Sequence, residues 1–140
     1  MKRTASAHWT GDLKQGKGQL TSESNVLKNT PYSFTTRFAG EKGTNPEELI
    51  AAAHAGCFTM ALSAMLGQAG FVAESLQTQA VVELDQVEGN WTVTAIDLSL
   101  TGKIPGIDNT KFQELATQAK QNCPISRLLN TKISLKAELQ

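Results

Sequence analysis

Short runs of alternating apolar and polar residues occupy both ends of the chain, and one long uncharged run lies between them. Ala5, Ala7 and Trp9 alternate with Ser6, His8 and Thr10, predicting a strand that Gly11-Asp12 and Gly16-Lys17-Gly18 close with a loop. A second strand is expected around Gln19–Glu23, followed by a turn at Asn29-Thr30-Pro31. Tyr32, Phe34, Thr36 and Phe38 alternate with Ser33, Thr35 and Arg37, which predicts a third strand with an aromatic face and Arg37 on the other side.

The clearest local signal comes next. Asn45 is a good N-cap, Pro46 suits the first helical position, and Glu48 can close a capping box. The pattern predicts a helix from Pro46 to about Gln68, ended by Gly70 and roughly 35 Å long. Two alternating strands follow. Leu76, Thr78, Ala80, Val82 and Leu84 share one face of the first, and Glu88-Gly89-Asn90 supplies a hairpin turn. The phase slips within Trp91–Thr101, which a bulge near Thr94-Ala95 would explain, as would cover on both faces. Asp108 or Asn109 caps a second helix to about Asn122, with Phe112, Leu115, Ala116 and Ala119 on one stripe. Cys123-Pro124 breaks that helix and opens a short turn through Leu129, and Ile133, Leu135, Ala137 and Leu139 make a final strand. The order βββ-α-ββ-α-β implies a single α+β domain over residues 1–140, with antiparallel sheets packed around the long helix.

Leu49 to Ala73 carries no Asp, Glu, Lys or Arg, enough residues to span a bilayer. Its many Ala, Gly, Ser and Gln residues and its acidic flanks fit a helix buried within a soluble assembly instead. Ala52, Gly56, Thr59, Ser63 and Gly67 form a stripe of small residues that lets another backbone approach, so a homodimer with this helix at its centre is expected.

Thirteen basic residues balance thirteen acidic ones, which argues against a nucleic-acid or anionic-membrane surface. Two cysteines are too few for a secreted disulfide scaffold, and the first residues lack the apolar run of a signal peptide. The expected location is therefore the cytoplasm, where thiols stay reduced.

Cys57 reads either as a small apolar core residue or as a reactive thiol. Reactivity needs a cation: about 3% of a thiol with pKa near 8.5 is ionised at pH 7, against about 90% with a pKa near 6. The helix start is three turns away and offers no help. His54, one turn before Cys57, raises a Cys–His pair for acyl transfer, or else is a satisfied core histidine. The two histidines and two cysteines have no zinc-like spacing, so no metal or other cofactor is expected, and His8 reads as exposed. Cys123, at a helix break beside Pro124, is either a cap residue or a thiol acidified by its position.

Phe38-Ala39-Gly40-Glu41-Lys42-Gly43-Thr44-Asn45-Pro46-Glu47-Glu48, continued through His54-Ala55-Gly56-Cys57-Phe58, resembles the core of the OsmC group of thiol peroxidases. Asn122-Cys123-Pro124-Ile125-Ser126 resembles its second cysteine motif, and Trp9, Gly11, Gly16, Gly18 and Pro105-Gly106 extend the likeness nearly end to end. The resemblance implies an intertwined homodimer with active sites at the subunit interface. It makes Cys57 the peroxidatic cysteine and Cys123 the resolving one, with Arg37 and Glu47 as the pair that organises the site. Organic hydroperoxides are the implied substrates, hydrogen peroxide a poorer one, and a dithiol such as a lipoylated protein the implied reductant. In that scheme Arg37 supplies the cation that Cys57 lacks, and Glu47 holds Arg37 by a bidentate pair. Glu47 and Cys57 lie about ten residues, or about 15 Å, apart on one helix, so the Glu47 serving Cys57 is expected from the other chain. Glu48 is left to the capping box. Phe58, Met60, Leu62, Phe34, Phe38 and Tyr32 are candidate walls for the organic tail of a substrate. A ligand-binding or structural domain and a Cys–His acyl hydrolase remain the alternatives.

Overall fold

The computed structural model describes all of residues 1–140 and divides the chain into two compact units, Met1–Leu49 and Ile50–Gln140. In the first, strands β1 (Ala5–Thr10), β2 (Lys17–Ser22) and β3 (Thr30–Tyr32) form an antiparallel meander in the order β1-β2-β3. Gly18 sits where β2 passes beneath the rings of Trp9 and Tyr32, whose centroids are 5.5 Å apart. A Cβ there would meet the Tyr32 ring and come within 2.7 Å of the Trp9 ring. Gly18→Ala is therefore expected to destabilise this unit by about 1–3 kcal/mol, visible as a lower urea midpoint.

The expected third strand stops at Tyr32. Residues Phe34–Phe38 form a single helical turn, α1, because Ser33 and Thr36 close a reciprocal capping box. The Ser33 hydroxyl accepts from the Thr36 N–H at 3.1 Å, and the Thr36 hydroxyl accepts from the Ser33 N–H at 2.8 Å. This correction matters for chemistry. A strand would set Arg37 opposite the aromatic residues, whereas the helical period brings Phe34, Arg37 and Phe38 to one face.

Helix α2 runs unbroken over Pro46–Gln68. Asn45 Oδ1 accepts from the Glu48 N–H at 2.8 Å, as a cap should, while the Glu48 carboxylate turns to the Thr44 hydroxyl. Gly70 ends the segment with φ +84°, a left-handed conformation that glycine adopts without strain.

In the second unit, β4 (Ser75–Val87) and β5 (Asn90–Lys103) form a long antiparallel hairpin. Glu83 pairs with Ala95 but Leu84 pairs with Val93, so Thr94 is the extra residue of a bulge that reverses the inward phase. Helices α3 (Asn109–Asn122) and α4 (Pro124–Leu128) carry the chain to β6 (Lys132–Leu139). Here the structure departs from the expected all-antiparallel pairing: β6 runs parallel to β5, with Ile96 opposite Ile133. A parallel neighbour requires a crossover of a dozen or more residues, and α3 with α4 provides one.

The core lies in this unit. Phe58, Leu62 and Leu66 of α2, spaced one turn apart, meet Ile96, Leu98 and Leu100 of β5 and the Phe112, Leu115, Ala116 and Ala119 stripe of α3. Each large side chain so buried contributes about 1.5–3 kcal/mol. Within one chain α2 is covered on one side, along that stripe and its neighbours, and not all round. Ala52, Gly56, Met60, Ser63 and Gly67 are exposed, and nothing lies within 4 Å of where a Gly56 or Gly67 side chain would stand. Thr59 leaves the small-residue stripe: its hydroxyl bonds the Ala55 carbonyl and the Thr78 hydroxyl of β4, each at 2.7 Å.

Candidate active site

Cys57 and Cys123 are far apart in the chain but meet in the second unit, with their sulfurs 3.0 Å apart in an S–H···S contact. Both are free thiols. Cys57 stands mid-way along α2 and is half-buried, whereas Cys123 is fully buried in the core. Cys123 occupies the break between α3 and α4. Its N–H bonds the Ala119 carbonyl at 2.9 Å and its carbonyl accepts from the Arg127 N–H at 3.0 Å. Pro124, which cannot donate, takes the first position of α4.

The pair divides its acidity unequally. Burial pushes the Cys57 thiol up, and the hydrogen bond with Cys123 pushes it the same way. Burial also acts to raise Cys123, but its hydrogen bond with Cys57, the backbone and hydroxyl of Ser126, and the backbone of Ile125 outweigh that, leaving it below its ordinary value. These N–H groups do not form a well-aligned cap on the sulfur. They act as dipoles aimed at a developing thiolate. The surroundings of Cys123 thus push its thiol down while those of Cys57 push its thiol up.

The first unit holds the other expected residues. Arg37 of α1 and Glu47 in the first turn of α2 form a two-pronged ion pair, with Nε donating to Oε2 at 3.0 Å and Nη2 to Oε1 at 2.5 Å. Glu47 is only 15% exposed, so the pair is partly shielded from water. The Arg37 guanidinium also lies 5.1 Å from the centre of the Phe38 ring. Trp9, Tyr32, Phe34 and Phe38 line an apolar cleft with Arg37 at its wall.

A sequence model of the OsmC-like proteins matches residues 39–138. The chain belongs to the OsmC family. It is 52% identical over 134 residues to a protein of Escherichia coli strain K12 named peroxiredoxin OsmC, covering 96% of this chain and 94% of that one. It is 30% identical over 124 residues to the organic hydroperoxide resistance protein OhrB of Bacillus subtilis strain 168, covering 88% and 89%. The crystal structure of Bacillus subtilis OhrB superposes with a TM-score of 0.70 at 29% identity, covering 98% of both chains.

Within this OsmC fold the candidate substrate walls separate into three groups. Tyr32, Phe34 and Phe38 line the cleft beside Arg37. Phe58 and Leu62 are fully buried core residues with no surface to offer, and Met60 is exposed on the open side of α2. His54, fully buried, has its Nε2 2.7 Å from the Ser126 hydroxyl, and its Nδ1 has no partner. Neither ring nitrogen engages Cys57, so the nucleophile–base contact of an acyl hydrolase is missing. Ser126 is the residue that sequence reasoning quoted without a role. Its signal was spacing: it follows Cys123 by the same three positions that separate His54 from Cys57. His8 lies exposed on β1.

Proposed function

We propose that this chain is a thiol peroxidase that reduces organic hydroperoxides to alcohols, with Cys57 as peroxidatic and Cys123 as resolving cysteine. The single observation that carries the reading is the 3.0 Å approach of the two sulfurs. A disulfide needs an S–S separation of about 2.05 Å, so a shift of about 1 Å closes the bond. Accessibility supports the division of labour, since peroxide can reach half-buried Cys57 but not Cys123.

The Cys57 thiolate attacks one oxygen of the O–O bond. That bond breaks, the alkoxide leaves and takes a proton to become an alcohol, and Cys57 is left as a sulfenic acid. Cys123 then displaces water to form the disulfide, and a dithiol reductant restores both thiols by exchange. Hydrogen peroxide fits the same chemistry without using the apolar cleft.

The first step needs a cation at Cys57. The proposed source is Arg37 of a second copy. Arg37 is held to Glu47 at the start of α2, and about 15 Å of unbroken helix separates Glu47 from Cys57 of the same chain. The uncovered small-residue face of α2 supports such a homodimer, because it lets two backbones approach closely. Substrate then meets Arg37 and the apolar cleft of one copy beside Cys57 of the other. A cytoplasmic location suits thiols that must be reduced between turnovers.

One equivalent of an alkyl hydroperoxide followed by thiol mapping by mass spectrometry tests the reading. The expected product is an internal Cys57–Cys123 disulfide and one equivalent of alcohol. Thiols left intact would favour a binding domain, and a Cys57 acylated by activated esters but indifferent to peroxide would favour the hydrolase.

A further inference from the structure

A second polar pair stacks on the two sulfurs with the same three-residue spacing. His54 precedes Cys57 by one turn of α2, and Ser126 follows Cys123 by one turn on α4. The His54 Nε2 contacts the Ser126 Oγ at 2.7 Å, Ser126 stands one turn beyond Cys123, whose thiol its backbone and hydroxyl push down, and the Cys123 sulfur contacts Cys57 at 3.0 Å. A chain of polar side chains therefore runs from a fully buried imidazole through Ser126 towards the thiol pair. Its far end is unusual, because the His54 Nδ1 is buried with no partner. An apolar residue at this position would avoid that cost, so packing alone does not account for the ring.

We propose that His54 and Ser126 are positioning residues for the second chemical step, in which the Ser126 hydroxyl, oriented by His54, prepares Cys123 to attack the oxidised Cys57. The inference rests on the peroxidase reading. Burial keeps His54 in its neutral form. When Nε2–H donates to the Ser126 Oγ, the serine proton is left to point at Cys123, where it stabilises the thiolate. The ionisable groups along this chain are Cys57, Cys123 and His54. In the step itself the Cys123 sulfur forms a bond to the Cys57 sulfur as the S–O bond of the sulfenic acid breaks. The proton given up by Cys123 joins the departing hydroxide to make water. The sulfenic sulfur is reduced and the Cys123 sulfur oxidised, so no outside oxidant or reductant takes part.

The test is a single-turnover reaction of the full chain with an alkyl hydroperoxide. It follows loss of the Cys57 thiol and appearance of the disulfide as separate rates, with dimedone trapping the sulfenic acid between them. Ser126→Ala should leave the first rate as in wild type, slow disulfide closure about tenfold, the loss expected for one hydrogen bond to a charged group, and let the trapped adduct accumulate. Ser126→Thr keeps the hydroxyl and should restore closure. His54→Leu should slow closure as Ser126→Ala does, and His54→Gln, which retains an N–H donor, should recover it. In a Cys57→Ser background, Ser126→Ala should also raise the Cys123 titration read by thiolate absorbance. Closure at the wild-type rate in Ser126→Ala, or equal slowing of both steps, overturns the inference alone. A wild-type chain whose Cys57 is not oxidised by peroxide overturns the peroxidase reading and this inference with it.

Discussion

Cys57→Ser should lose peroxide reduction by roughly three orders of magnitude or more, because no other group in the protein carries the reacting sulfur. Cys123→Ser should behave differently: the first turnover proceeds at the wild-type rate and the reaction then stops with Cys57 held as a sulfenic acid. Stopped-flow measurement of peroxide loss and dimedone labelling separate the two outcomes. The contrast follows from exposure and contact. Cys57 is the half-buried sulfur, and Cys123, sealed in the core, touches it at 3.0 Å. A Cys123→Ser chain that still turned over many times with a dithiol would remove Cys123 from the cycle.

The second large effect concerns Arg37. Within one chain, burial and the hydrogen bond with Cys123 push the Cys57 thiol up, so the proposed first step calls for a cation, for which Arg37 of a second copy is the proposed source. Arg37→Ala should cut the peroxide rate at pH 7 by about tenfold or more, the loss of ionised thiol for each pKa unit by which the cation lowers Cys57, and raising the pH should recover most of it. The mixed dimer is the sharper measurement. Pairing an Arg37→Ala chain with a Cys57→Ser chain leaves one complete site if Arg37 acts across the interface, and about half the wild-type activity should return. If Arg37 serves its own Cys57, both sites in that dimer are broken and no activity returns.

The parts of the fold written in local pattern could be read directly from sequence. Asn45, Pro46 and Gly70 bound α2, and Phe112, Leu115, Ala116 and Ala119 form the buried face of α3. The phase slip after Trp91 pointed to the bulge that Thr94 makes. The segment from Tyr32 to Phe38 misled because seven residues of aromatic–polar alternation fit period two, while the same residues also place Phe34, Arg37 and Phe38 together at helical spacing. Only the Ser33–Thr36 capping box decides between them. The parallel pairing of β6 was hidden for another reason, since an alternating strand looks the same in either direction. At the site, the cysteines were legible as candidates, but their meeting depends on how α3 packs over α2 and β5. Ser126 stands out only through its fold position, one turn beyond Cys123 with its hydroxyl 2.7 Å from the His54 Nε2.

Cys123 closes α3 with its N–H and opens α4 with its carbonyl. Helix α4 is thus a five-residue arm with no fully buried residue, joined to α3 at Cys123. Cys57 has no such latitude, because α2 is anchored in the core every fourth residue. The ångström of travel that separates thiols from disulfide is therefore expected at the Cys123 junction between α3 and α4 rather than along α2.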